Sequence, residues 1–235
     1  MTVGTKSVLF GAHCFFLHPW FVAWAWWKLY GFPRDPRLWI AFVVHDIGYL
    51  GRPNMDGQEG EEHPRLGARI MAALFDGYRW KDAGWERHRS TEWVKKGLEI
   101  EIKTELESVA LGRWGLLCLL HSRYYAKTLR MQPSRLCIAD KLAISLTPAW
   151  LYLPMVRATG EIHEYMAHAK HRIRGNENVS EDEKRRLISG SQAAWYSGVQ
   201  DYCRRWAFEH RDGKVDTWTS SARQRATVNE HGVWQ

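Results

Sequence analysis

Six residues capable of metal chemistry stand at separated points of this chain, each inside or beside an apolar segment. They are His18 in HPWFVAWAWW, His45 and Asp46 in AFVVHDIGYLG, His63 in GEEHPRLGARIM, His121 in LLCLLHSRYYAK and Asp140 in SRLCIADKLA. A lone histidine on a helix is ordinarily a hydrogen-bonded core or surface residue. Here helical periodicity points all six toward one interior, where unpaired imidazoles and carboxylates are costly to bury. Metal coordination removes that cost. These ligand types suit a borderline or hard divalent ion, and an adjacent His-Asp pair can place one carboxylate between two ions.

Helices must position such a set. Leu38, Ala41, Phe42 and His45 share a face at offsets 0, 3, 4 and 7, and His18, Val22, Ala25 and Leu29 do so at 0, 4, 7 and 11. Residues 7–30 read as an apolar helix interrupted near Pro19, with its tryptophans expected around the wall of the site. A polar loop, LGRPNMDGQEGEEH, leads to a helix from His63 through Leu66, Gly67, Ile70 and Leu74. After a break around DGYRWKDAG, residues 85–128 read as interrupted helix, with Trp114, Leu117, Cys118, His121 and Tyr125 on one face. Leu136, Asp140, Ala143 and Ile144 define the next helix. Beyond 147 come a proline-broken aromatic segment, a basic helix ending near Gly175, and a long helix opened by a Ser180/Glu183 capping box. No strand pattern emerges, so the expected fold class is all-α.

The composition is that of a globular protein, 45% hydrophobic and 25% charged over 235 residues. Its 14 tryptophans are too scattered for one binding motif and are expected mainly in the core or in cleft walls. A net charge of +7 favours encounters with phosphates or nucleotides, and supports a nucleic-acid partner only weakly. Cys14, Cys118, Cys137 and Cys203 form no CxxC pair, as expected for buried thiols in a cytoplasmic protein. The stretch HCFFLHPWFVAWAWW imitates a signal peptide, but His13, His18 and Pro19 interrupt it; neither cleavage nor a membrane partner is expected.

In the order and content of these five segments, residues 13–150 resemble the HD superfamily of metal-dependent phosphohydrolases. The resemblance implies an HD-domain helical bundle over 1–155 and a basic helical extension over 156–235. It implies one metal held by His18, His45, Asp46 and Asp140, with His13 as the rival to His18. Asp46 would bridge to a second metal at His63 and His121. Two divalent transition ions are expected, Fe or Mn foremost, with Mg, Co, Ni or Zn as substitutes. The implied reaction is hydrolysis of a small phosphorylated substrate, such as a nucleotide, by a metal-bridging hydroxide. Asp46 and Lys141 are the expected catalytic residues. Lys141, Arg123 and Lys127 are the candidate phosphate contacts, and Tyr49, which stands where many relatives carry lysine, is a further candidate substrate contact. Asp56, Glu59, Glu61 or Glu62 could supply a general acid, although a solvated loop is the better account of them. His88, His163, His168, His171, His210 and His231 lack motif support and are expected at the surface. HDIGYL differs from the HDxxED of the ppGpp-hydrolase branch and from the HDIGK of the cyclic-dinucleotide branch, and GYP is absent. The same ligands also resemble HD-fold di-iron oxygenases, and a binding or regulatory module that retains the metals is a third reading.

Overall fold

The computed structural model describes residues 1–76, 100–104, 107–173, 176–214, 216 and 218. Helices dominate, in keeping with an all-α class: α1 (Val3–Phe10), α2 (His18–Tyr30), α3 (Pro36–Val44), α4 (Gln58–Glu61) and α5 (Pro64–Phe75) precede α6 (Arg113–Leu119) and α7 (Arg123–Thr128). α8 (Arg135–Leu146), α9 (Ala149–Thr159), α10 (Glu161–Ile173), α11 (Glu181–Ile188) and α12 (Gln192–His210) complete the described helices. One local reading is corrected. Within the segment expected to be helical, β1 (Ile100–Thr104) and β2 (Glu107–Leu111) form an antiparallel hairpin, pairing Ile100 with Leu111 and Thr104 with Glu107. The alternation of Ile100 and Ile102 with charged neighbours is a strand period rather than a helical one. The break expected over DGYRWKDAG lies outside the described residues from Gly77 onward, as does the expected helix over 85–99.

Capping explains the other boundaries. Pro19 opens α2 rather than interrupting it, because proline is accommodated in a helix's first turn, where no intrahelical donor is needed. Asp35 caps α3 at the Arg37 amide, with Pro36 next to it, and Ser134 caps α8 at Cys137. Ser122 is extended and caps α7, which splits the expected helix through His121. Ser180 and Glu183 form the expected capping box, but Ser191 opens a separate helix, so the expected long helix is α11 and α12. α9 continues through Pro154. Trp150, whose carbonyl that proline leaves without an amide donor, is exposed to water.

The main core joins α2, α3, α5, α6, α8 and α12, with Val22, Ala25, Phe42, Met71, Cys118, Leu136 and Trp206 buried in it. A second core gathers Tyr152, Val156, Ile162, Leu187 and Tyr196. α9 runs through the boundary expected between residues 155 and 156, and α12 returns to pack on α8. The C-terminal helices therefore help hold the helix that carries Asp140. The four cysteines are buried free thiols. The expectation for the tryptophans of α2 is corrected: Trp26 is buried, whereas Trp20, Trp24 and Trp27 face outward. Their offsets place them opposite His18, Val22 and Ala25. His210 is likewise buried rather than at the surface, stacked on Trp206 with ring centroids 4.4 Å apart. Among the described residues no single helix is long and apolar enough to cross a membrane.

Candidate metal centre

Helix ends and one helix interior deliver the six residues to one place. His18 is the first residue of α2, and His63 is the N-cap of α5. In both cases proline follows directly, starting the helix just after the ligand. His45 is the C-cap of α3, and Asp46 leads into a 3-10 turn, Ile47–Tyr49. His121 lies in the break between α6 and α7, while Asp140 alone of the six sits in the middle of a helix. All six are buried.

Two groups result, His18, His45, Asp46 and Asp140 in one and Asp46, His63 and His121 in the other, with the ligand atoms of each lying within 4.8 Å of one another. Asp46 belongs to both, and its two oxygens are divided between them. Oδ2 is 3.4 Å from His18 Nε2 and 3.0 Å from His45 Nε2. Oδ1 is 3.2 Å from His121 Nε2 and 3.6 Å from His63 Nε2. Asp140 Oδ1 accepts from His18 Nε2 at 3.0 Å, and its Oδ2 accepts from Lys141 Nζ at 2.9 Å.

The imidazoles are set by their own helices. His45 Nδ1–H donates to the Phe42 carbonyl at 3.0 Å, His63 Nδ1–H to that of Gly60 at 2.6 Å, and His121 Nδ1–H to that of Cys118. A carbonyl only accepts, so each Nδ1 carries a proton, and Nε2 is the nitrogen each ring offers to a ligand once that ring is neutral. The Nε2 atoms of His63 and His121 are only 3.0 Å apart. With both rings neutral, two lone pairs would face each other there, an arrangement that a cation between or beside them relieves. His45 Nε2 and Asp46 Oδ2 are close, yet misaligned, and neither buried atom has a hydrogen-bond partner. Histidines backed by carbonyls, with their Nε2 atoms converging on carboxylates, suit divalent transition metals.

Electrostatics point the same way. Burial alone would raise the Asp46 carboxyl, but His45, His13 and His121 outweigh it and hold Asp46 well below the usual carboxylate range. For Asp140, Lys141, His18 and His45 likewise overcome burial. Burial opposes charge on His45, yet Asp46 and Asp140 lift its imidazole to about 10. His63 moves the other way, pushed well below its ordinary value by burial and by His121. The metal-free cluster thus holds two anionic carboxylates and keeps His63 uncharged.

The remaining candidates divide. Lys141 sits at the rim beside Asp140, its side chain 28% exposed. Arg123 turns its fork to Asp216, Nε to Oδ2 at 2.7 Å and Nη2 to Oδ1 at 3.1 Å, and gives Nη1 to the Tyr202 hydroxyl at 2.9 Å. Lys127 Nζ is 3.9 Å from Asp216. The structure thus places these two expected phosphate contacts around a buried aspartate. Tyr49 is buried, stacked on His63 with centroids 3.8 Å apart and planes at 12°, so it is a wall of the centre. His13, outside both groups, lies edge-on to His18 at 5.7 Å with its Nδ1 2.9 Å from Ser7 Oγ. In the acidic loop, Asn54 donates to Glu59, Arg52 to Glu62, and His168 lies 3.4 Å from Asp56.

Sequence reasoning missed the string from His13 through Ser7 to buried Glu161, since contacts 154 residues apart leave no local pattern. It also missed His18-Pro19 as a helix start, a signal that was present. Comparison with family models, with curated proteins and with solved structures returns no match. The geometry itself establishes buried His/Asp groups that could hold metal ions, compatible with a metal-dependent function.

Proposed function

We propose that the protein is an HD-type metal-dependent phosphohydrolase with a dinuclear centre, acting on a small phosphorylated substrate such as a nucleotide. The observation that carries this reading is Asp46, whose two oxygens face two different sets of histidines. His18, His45, Asp46 and Asp140 would hold one ion, and Asp46, His63 and His121 the other. Such ions, Fe or Mn foremost, would lower the pKa of water and draw charge from a phosphoryl oxygen. The chain's own residues then orient and balance. The carbonyls of Phe42, Gly60 and Cys118 keep three imidazoles in the ligating tautomer, and the two carboxylates offset the metal charge. Lys141, cationic and partly exposed at Asp140, would meet a phosphoryl oxygen entering at the rim.

The test is anaerobic phosphate release from a panel of nucleotides and sugar phosphates after loading with Mn, Fe, Co or Mg. Release by the wild type that disappears in Asp46→Ala supports the proposal. No release with any ion overturns it, and oxygen consumption by the iron-loaded protein would favour the di-iron oxygenase reading instead.

A further inference from the structure

α2 is apolar around its circumference apart from His18 and Lys28, yet among the described residues only one side is covered. Val22 and Ala25 are fully buried, whereas Trp20, Trp24 and Trp27, offset by 4 and 7 positions, are 65%, 43% and 58% exposed. A helix apolar on every side ordinarily lies within a core or in lipid. The open rings form a continuous surface with the next helix: Trp20 lies 5.8 Å from Trp39, Trp39 6.4 Å from Phe32, and Phe32 6.1 Å from Trp27. Ile40 and Val43 of α3 are exposed as well. An exposed apolar patch of this kind marks an interaction site.

Charge selects the partner. Residues 1–44 carry four basic side chains, Lys6, Lys28, Arg34 and Arg37, against one acidic side chain, Asp35, which is already paired with Arg37 at 2.7 Å. α2 itself has no carboxylate, and its Lys28 ammonium stands 5.2 Å from the centroid of the Trp24 ring. We propose that this face docks on an anionic lipid surface, with α2 lying in the plane of the headgroups. Indole rings favour that depth, where the ring body is in acyl chain and the N–H meets polar groups. Lys28 would extend from the same layer toward lipid phosphates. Lipid accommodates separated, differently tilted rings without a matching shape. At 13 residues, α2 spans only about 20 Å along its axis, so it rests on the interface rather than crossing it. The docked side is opposite His18, so the proposal is independent of the metal chemistry.

Cosedimentation of the full chain with vesicles tests it, comparing phosphatidylcholine alone with a phosphatidylcholine–phosphatidylglycerol mixture. Salt-sensitive binding to the mixture is expected. Replacing Trp20, Trp24 and Trp27 together by serine should weaken it on the order of tenfold or more. Lys28→Gln should weaken binding to the mixture by about fivefold and leave neutral vesicles unaffected. Circular dichroism and metal content of each variant establish that it is folded. A chain that stays in the supernatant with the mixture, or a triple variant that binds like the wild type, overturns the proposal. So does a wild-type dimer in sedimentation velocity that the triple variant dissolves, which would assign the face to a second copy.

Discussion

Asp46 faces His18 and His45 with one oxygen and His63 and His121 with the other, so its removal acts on both groups at once. Asp46→Ala is expected to empty the whole centre, whereas His63→Ala should remove the ion of its own group and leave the other. Metal content per chain by plasma mass spectrometry separates the two outcomes; equal losses would show that the groups are not distinct. His45 adds a pH signature. Its folded-state value is lifted to about 10 by Asp46 and Asp140 against burial, so the metal-free centre holds a proton there through neutral pH. The stability from that charge is full below the ordinary value of 6.5 and is lost as pH rises through about 10. A metal requires the bare Nε2 and must displace the proton. Affinity should therefore increase toward pH 10 by about tenfold per unit for one displaced proton, with matching proton release in calorimetry across buffers. Affinity that is flat with pH would show that His45 is already neutral.

The elements hold these residues through backbone approach as much as through side chains. A β-carbon on Gly48 would stand 1.9 Å from the His63 carbonyl oxygen, and one on Gly67 would stand 2.6 Å from that of Val44. Glycine at 48 lets the turn after the doublet press against the start of α5, and glycine at 67 brings α5 against the end of α3. Gly48→Ala should cost about 1–3 kcal/mol in urea unfolding and selectively weaken metal retention at His63 and His121. Unchanged metal content would show that the turn can shift without moving His63. This is where legibility from sequence divides. The faces carrying His18, His45 and Asp140 were readable because periodicity records burial, and the Ser180 box because capping is local. The hairpin was hidden because β1 and β2 are short and lie in a segment also rich in helix formers. The contacts of Gly48 and the stack of Tyr49 on His63 depend on elements meeting across the fold, which no local pattern reports.

At the scale of the whole molecule, the C-terminal segment is tied to α7, the helix that follows His121, through a buried charge pair. Asp216 accepts from Arg123 of α7, from the Trp206 indole at 3.0 Å and from the Trp218 amide at 3.0 Å. Arg123 also lies 4.7 Å from the Trp206 ring centroid. Although burial would raise the Asp216 carboxyl, Arg123 overcomes it and depresses the group below its ordinary value of 3.8. A depressed carboxylate stabilises the fold above the unfolded-state value and ceases to do so as pH falls through the folded one. The contribution of Asp216 is therefore complete above about pH 4 and lost progressively below it. Asp216→Asn would leave the Arg123 guanidinium without its anion, and breaking a buried pair this way costs about 3–5 kcal/mol. Urea unfolding followed from pH 7 to pH 2 should show that loss at neutral pH and a shallower acid decline in the variant. Metal content should stay at the wild-type level, because Arg123 serves the junction of α7 with α12. A variant as stable as the wild type, or one that loses metal in proportion to its stability, would mean that the brace and the centre are not separable in this way.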